Sequence, residues 1–166
     1  MSDKATELRQ RLIRNFNTAN LEHFQRAPLY DTASAGLAQG TAAKKLGASI
    51  DIMPPGARSC PYHYHYVQEE MFIILEGEGT LRVAGEHLPI SAGDVIFIPP
   101  GPEYPHHILN TSNAPLKYMS ISTMEFPEIC EYPDSGKYLA KAEAKPGAFR
   151  VVQRKETSLD YWDGEP

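Results

Sequence analysis

Short apolar segments, each closed by glycine or proline, follow one another through the middle of this chain between residues 46 and 124. Runs of about four to eight residues with frequent turn signals are typical of an all-β sandwich or barrel. The predicted strands cover residues 49–53, 62–66, 70–76, 80–83, 87–90, 95–98, 106–110 and 116–123. The sequence therefore predicts an all-β domain over residues 46–124.

The N-terminal segment has a different pattern. Ser2 and Asp3 are suited to cap a helix that runs to about Phe16. Within it, Leu8, Leu12 and Ile13 continue an apolar stripe at helical spacing. We expect this helix to pack on the barrel or on a partner subunit, whereas residues 17–40 follow no regular pattern.

Three regions divide the chain. We predict an N-terminal helix and arm over residues 1–45, a barrel core over 46–124, and a C-terminal extension over 125–166, with both flanks packing on the barrel. The extension contains a predicted turn at residues 131–137 and the only tryptophan, Trp162. We expect that tryptophan to pack on the barrel or at a dimer contact.

Composition excludes several classes of function. The 166 residues are 42% hydrophobic and 22% charged, which is ordinary for a soluble domain. A net charge of -5 argues against a nucleic-acid surface, which needs clustered basic residues. The longest apolar run, residues 71–75, is too short to span a membrane. Without a secretory signal pattern, and with only Cys60 and Cys130 as cysteines, we expect a cytoplasmic protein with no disulfide.

The first chemical motif is His63-Tyr64-His65 followed by Glu70. Side chains alternate along a strand, so His63 and His65 point to the same face. If the strand that begins at Glu70 pairs back on the first, its carboxylate lies beside both imidazoles, as a transition-metal site requires. A solvent-facing histidine pair on an edge strand has the same sequence pattern, so this motif needs structural context.

A second segment, residues 93–110, supplies that context. Together the two segments resemble the cupin superfamily, whose motifs run G-x5-HxH-x3,4-E-x6-G and G-x5-PxG-x2-H-x3-N. The first motif is met by the histidine pair, Glu70 and Gly77, with a lead-in from Gly56 that is one residue longer. The second is met at the following positions: Gly93, Pro99, Gly101, His106 and Asn110. The resemblance covers about residues 46–124.

The second motif departs from the family pattern, because four residues instead of two separate Gly101 from the next histidine. Strict counting places the ligand on Tyr104, a poor substitute for an imidazole. The spacing to Asn110 favours His106 as the third histidine ligand, after a lengthened turn at residues 102–105, with His107 facing away. The assignment to His107 stays open. Similarly, Glu70 is a better candidate than Glu69, since only Glu70 keeps the spacing to Gly77.

The resemblance implies a double-stranded β-helix, or jelly-roll barrel, with a short N-terminal helix. Its metal ligands would be His63, His65, Glu70 and His106, which leave two positions of a six-coordinate ion open. Structural zinc prefers a closed sphere of four ligands, so an open site favours chemistry or ligand capture. Fe, Mn, Ni, Cu and Zn all suit these donors, and the sequence does not choose between them.

Alternation also predicts the cavity lining. Phe72 and Ile74 share the face of Glu70 and form an apolar wall. From the last strand, one of two alternating sets points inward: either Tyr118, Ser120 and Ser122, or Lys117, Met119 and Ile121. Tyr104 and His107 lie near the mouth and are candidate catalytic proton donors, although surface-facing turn positions are the favoured interpretation of both.

Three functions fit this pattern, each with a small molecule as partner. The first is a metal-dependent isomerase acting on a sugar-like or carboxylate ligand, for which Arg58, Arg82 and Lys117 are candidate phosphate-binding residues. The second is an iron-dependent dioxygenase, and the third is a non-enzymatic small-molecule-binding cupin. Fold alone does not choose among them. The resemblance also implies a homodimer.

Overall fold

A computed structural model describes residues 2–144 and 147–166. The helices are α1 (Asp3–Leu12) and three 3-10 helices (Phe16–Thr18, Pro133–Ser135 and Lys155–Thr157). The strands are β1 (Glu22–Arg26), β2 (Tyr30–Gly36), β3 (Leu46–Met53), β4 (Tyr64–His65), β5 (Glu70–Glu76), β6 (Glu78–Val83), β7 (Glu86–Ser91), β8 (Val95–Ile98), β9 (His106–Leu109), β10 (Leu116–Thr123), β11 (Glu128–Tyr132), β12 (Lys137–Ala144) and β13 (Gly147–Arg154). None of the helices described is long and apolar enough to cross a membrane.

The strands form three antiparallel sheets. Their orders are β1-β2-β3-β10-β5-β8, β13-β12-β11-β4 and β7-β6-β9. Strand β10 pairs with both β3 and β5, so strands distant in sequence lie side by side. This is a jelly-roll, and it confirms the predicted all-β fold with a short N-terminal helix.

The core lies between the six-stranded and three-stranded sheets. Its members are inward-facing side chains at alternate strand positions: Met53, Phe72, Ile74, Leu81, Ile90, Ile98, Ile108, Leu116 and Tyr118. Full burial of each such apolar side chain contributes roughly 1.5–3 kcal/mol. The core thus sits beneath the same strands that carry the candidate metal ligands.

Two residues of the sequence motifs have structural roles. Gly77 has φ 86° where β5 turns into β6, and a Cβ there would lie 2.5 Å from the carbonyl oxygen of Pro115. Only glycine fits both the conformation and the space. The buried Asn110 amide donates to the carbonyl oxygens of Met53 and Ala114 and so fixes the loop before β10.

The N-terminal helix is shorter than predicted. The side chain of Ser2 accepts a hydrogen bond from the Ala5 amide at 3.3 Å, as a capping residue should. The helix nevertheless ends at Leu12, because Ile13 is extended. No residue of α1 is buried, and Leu12 is 61% exposed, so within this chain the apolar stripe does not pack on the barrel.

The histidine motif and the tail also differ from expectation. Residues 62–66 do not form one strand, because His63 bridges to His106 whereas Tyr64 and His65 pair with β11. The extension contains three strands that were not predicted, and its turn at residues 131–137 includes a 3-10 helix. Trp162 is 69% exposed, so within this chain it is not packed on the barrel, and its place at a dimer contact stays a prediction. Strands β1 and β2 occupy the segment that showed no pattern.

Candidate metal centre

Backbone pairing places the three histidines. His63 and His106 exchange two backbone hydrogen bonds, of 3.1 and 2.7 Å, so their side chains lie next to each other. His65 follows two positions later on the same face and pairs with Cys130 of β11. Glu70 begins β5, and its side chain is 13% exposed. The structure therefore brings residues from the two predicted segments to one place.

The four side chains converge on one carboxylate oxygen. The Nε2 atoms of His106, His65 and His63 lie 2.9, 3.3 and 3.7 Å from Oε2 of Glu70. The reading of His106, and not Tyr104 or His107, as the third histidine of the cluster agrees with this geometry. Glu69 is exposed, and its backbone amide donates to Thr123 on another strand.

The Nδ1 atom of each imidazole, on the side of the ring that faces away from Glu70, makes a hydrogen bond that orients the ring. The Nδ1 of His63 lies 2.9 Å from the carbonyl oxygen of Pro61, and that of His106 lies 3.1 Å from the carbonyl oxygen of Tyr104. A carbonyl oxygen only accepts hydrogen bonds, so each Nδ1 carries the proton. In the neutral ring, the Nε2 lone pair then points toward Glu70.

The third imidazole is held by a carboxylate. Oε1 of Glu128 lies 3.1 Å from Nδ1 of His65 and accepts from the Tyr66 amide, while Oε2 accepts from the Gln68 amide at 2.9 Å. The side chain of Glu128 is fully buried. Hydrogen bonds of this kind fix the orientation and tautomer of metal-binding histidines. Sequence reasoning missed this residue.

This donor set fits a cation. Lone pairs on three nitrogens face a carboxylate oxygen at short range, and only a proton or a metal ion makes these contacts favourable. Burial raises the pKa of the Glu70 carboxyl, but hydrogen bonds with His106 and His65 outweigh it and hold the pKa well below its ordinary value. A divalent ion bound between the three nitrogens and this carboxylate would make these contacts favourable.

Strand β11 adds further groups that the sequence analysis did not identify. A thiol, Cys130, lies with His63 and His65 in a second set whose ligand atoms are all within 4.8 Å of one another. The ring of Tyr132 stacks on His63, with centroids 6.0 Å apart. Glu128, Cys130 and Tyr132 alternate along one strand, and that spacing was the available signal.

The predicted wall residues lie inside the barrel. Phe72, Ile74 and Tyr118 are all buried in the core, which confirms the apolar wall and selects the set containing Tyr118 over the set containing Lys117. Ser120 pairs with Phe72, and Ser122 pairs with Glu70. Side chains of directly opposed residues share a face, so this wall is polar close to the carboxylate.

The two candidate proton donors lie away from the imidazole cluster. The Tyr104 side chain is 46% exposed, and the contact of this residue with His106 is made by its backbone carbonyl oxygen. His107 is almost fully buried, donates from Nδ1 to the carbonyl oxygen of Cys60 and packs against Tyr62. A catalytic role for either residue stays a prediction.

A jelly-roll whose inner face carries an HxH pair, a glutamate and a further histidine defines the cupin class. Residues 49–122 match the sequence profile of the family described as the cupin domain, so this segment is a cupin domain.

Two curated relatives match part of the chain. One is an uncharacterized protein of Methanocaldococcus jannaschii, 41% identical over 71 residues, which are 43% of this chain and 54% of that protein. The other is an oxalate-binding protein of Thermotoga maritima, 39% identical over 69 residues, which are 42% of this chain and 54% of that protein. The chain thus spans about half the length of the curated relatives it matches.

A solved structure resembles the chain over most of its length. The sugar phosphate isomerase of the cupin superfamily from Silicibacter pomeroyi has a TM-score of 0.73 and 22% identity, covering 90% of this chain and 96% of that one. At this identity the likeness shows the fold. It extends well beyond the cupin profile into the flanking segments.

Proposed function

We propose that this protein binds a divalent transition metal through His63, His65, Glu70 and His106 and acts as an isomerase on a small oxygenated ligand, sugar-like or carboxylate. The observation that carries the proposal is the convergence of three Nε2 atoms on the Glu70 carboxylate, with each Nδ1 held from behind. Without a cation this arrangement of lone pairs is energetically unfavourable, and its geometry is already suited to bind a metal ion.

Four protein ligands leave coordination positions for oxygen atoms of a ligand. A bound ion of this kind acts as a Lewis acid that polarises a carbonyl or enediol oxygen. The protein supplies the surroundings. Phe72 and Tyr118 exclude water on one side, while Ser120 and Ser122 offer hydroxyl groups that orient a polyhydroxylated molecule.

Isomerisation of such a ligand also needs a group that moves a proton. Asp51 lies directly opposite Tyr118, so the two side chains share the inner face. Burial raises the pKa of the Asp51 carboxyl, although a 2.6 Å hydrogen bond from Ser49 opposes the shift. A carboxyl group with a raised pKa is better able to exchange protons near neutral pH. We assign this role to Asp51, which the sequence analysis did not identify.

A second candidate function is ligand binding without turnover. The name of the Thermotoga maritima relative, an oxalate-binding protein, favours it. The same centre serves both functions. They differ in whether a proton of the bound ligand exchanges with solvent.

Metal analysis tests the centre. His63→Ala and His106→Ala should each abolish retention of metal during purification, because each removes one nitrogen donor, while circular dichroism remains that of the folded barrel. His87→Ala is the matched control, since His87 is exposed on β7. Unchanged metal content in the first two variants would refute the ligand assignment.

Proton exchange separates the two functions. Metal-loaded protein is incubated in D₂O with sugar phosphates, and deuterium next to the carbonyl carbon is followed by NMR. An isomerase incorporates deuterium, and Asp51→Asn slows this by about 100-fold or more at unchanged metal content. Binding without exchange favours the binding protein, and oxygen uptake would instead indicate a dioxygenase.

A further inference from the structure

The C-terminal sheet continues one face of the metal centre outward. His65 of β4 lies opposite Cys130 of β11, and Cys130 lies opposite Leu139 of β12. Leu139 in turn lies opposite Val152 of β13. Directly opposed side chains share a face, so β12 and β13 present this face beside the imidazole cluster.

On β12 and β13 that face is strongly basic. On β11 it carries Glu128, which lies opposite Lys141, and the buried carboxylate of Glu128 already contacts His65 and two backbone amides. On either side of Leu139 and Val152, the register places Lys141 opposite Arg150 and Lys137 opposite Arg154. The one acidic residue of β12 on this face, Glu143, lies at its far end opposite Ala148. Across residues 2–144 and 147–166, none of the four basic side chains forms an ion pair with a carboxylate.

Such pairing is unfavourable in the free protein. Like charges directly opposite each other on neighbouring strands destabilise a sheet, and here two cross-strand pairs are both cationic. The chain as a whole carries a net charge of -5, so general basicity does not explain the cluster. An anion bound between the strands would relieve the repulsion.

The basic face reaches the metal centre through Tyr132. Its ring stacks on His63, and the ammonium of Lys137 lies 4.9 Å from the centre of the same ring. One of the four cations thus lies against the ring that stacks on a candidate ligand.

Two of the phosphate-binding candidates from the sequence are already engaged elsewhere. Arg82 forms a two-pronged ion pair with Asp134, and Lys117 pairs with Glu76 at 2.8 Å. By contrast, Lys141 contacts the ring of Phe126, and the Arg150 side chain is exposed. The C-terminal hairpin thus offers positive charge that no carboxylate of the described residues neutralises.

We infer that Lys137, Lys141, Arg150 and Arg154 bind an anionic group, a phosphate or a carboxylate, of a small ligand whose other end lies at the metal centre. This inference rests on the proposed function and names the substrate class as doubly functional: an oxygenated head and an acidic tail. Neighbouring strands are about 4.8 Å apart and β11 lies between β4 and β12, so these two strands are about 9.6 Å apart. A frame of about four carbons with an oxygenated group at each end covers most of that distance, and the long lysine and arginine side chains reach the rest.

Calorimetric titration with matched probes tests the inference. The probes are erythronate, 4-phosphoerythronate and tartrate, which share a four-carbon hydroxy-acid frame and end in a hydroxyl, a phosphate and a carboxylate. At least one of the two acidic probes should bind the metal-loaded protein about tenfold or more tightly than erythronate. The larger gain identifies the group. The double variant Lys141→Gln/Arg150→Gln should lose this gain and bind erythronate as before.

The matched control is Arg9→Gln/Arg11→Gln, which removes two exposed charges from α1 and should keep the gain. Equal binding of all three probes by the wild type, or an equal loss in the control, overturns the inference. Metal content is measured in every sample. A gain that depends on Lys141 and Arg150 in a protein that retains no metal supports the anion site, while it refutes the proposed metal function.

Discussion

The proton positions in three imidazole rings decide what the centre can bind. Backbone carbonyl oxygens fix the tautomer of His63 and His106, and those acceptors cannot change. His65 differs, because a side chain, Glu128, fixes its tautomer. The orientation of one candidate metal ligand is therefore open to a single substitution.

Glu128→Gln should weaken metal affinity by about 10- to 100-fold, because the amide NH₂ favours an unprotonated Nδ1 on His65 and moves the proton to Nε2. Competition with a chromophoric chelator measures the affinity, and ¹⁵N NMR of the metal-free protein reports the tautomer.

Glu131→Gln provides the control for that substitution. Glu131 lies on the same strand but pairs with Lys155 and Tyr66, away from the imidazoles. Its variant should bind metal like the wild type. Equal affinity in both variants, with His65 still protonated at Nδ1, would exclude Glu128 as the residue that orients His65.

His107 should make the stability of the metal-free protein depend on pH. Burial lowers the pKa of His107 to about 4, from an ordinary value of 6.5. The unfolded chain then binds more protons between these values, so stability is lost as the pH falls from about 6.5 to about 4, by on the order of 3 kcal/mol.

Urea unfolding at several pH values measures this slope. His107→Gln should flatten it between about pH 4 and 6.5, whereas His87→Gln, at an exposed position, should leave it unchanged. Parallel slopes for the wild type and His107→Gln would show that another group is responsible.

The motif spacing predicted the residues of the cluster but not the residues that orient them. Gly77 and Asn110 frame the two motifs, so His63, His65, Glu70 and His106 were predictable, and the structure brings them together. The metal itself, the catalytic roles of Tyr104 and His107, and the division into three regions stay predictions. Glu128 acts from outside both motifs, and Asp51 depends on a register that spacing alone does not give.

Among the elements, the turn between β5 and β6 is the tightest constraint. Gly77→Ala should destabilise the protein by several kcal/mol, because the new Cβ meets the carbonyl oxygen of Pro115 at 2.5 Å in addition to a strained φ of 86°. Thermal or urea unfolding measures the loss.

Gly85→Ala separates strain from collision. Gly85 has φ 84°, but a Cβ there meets nothing within 4 Å. Its variant should cost only about 1–2 kcal/mol, the price of the left-handed conformation. If both variants lost the same stability, the contact with Pro115 would be unimportant.

Strand prediction succeeded where turns were marked and failed where they were not. From β5 to β10 the glycines and prolines delimit each strand, and the predicted strands lie within a few residues of the observed ones. Strand β4 is short because its neighbours in sequence pair elsewhere. Strand β12 has no β-branched residue, so its strand character comes from pairing with β11 and β13.

At the scale of the whole molecule, metal binding should appear as thermal stability. An ion that binds only the folded chain stabilises it by about 4 kcal/mol at 1,000 times its Kd. Calorimetry with and without a chelator should therefore show a higher Tm for the metal-loaded wild type and for His87→Ala. His106→Ala should show no difference, and a chelator-insensitive wild type would contradict the metal centre.

The support of His65 by Glu128 has a consequence for engineering. The cupin profile ends at residue 122, before β11 begins. A minimal barrel trimmed to that boundary would retain every motif histidine yet leave one imidazole free to rotate. Grafting this chemistry onto another scaffold therefore means transferring a distant strand along with the motifs.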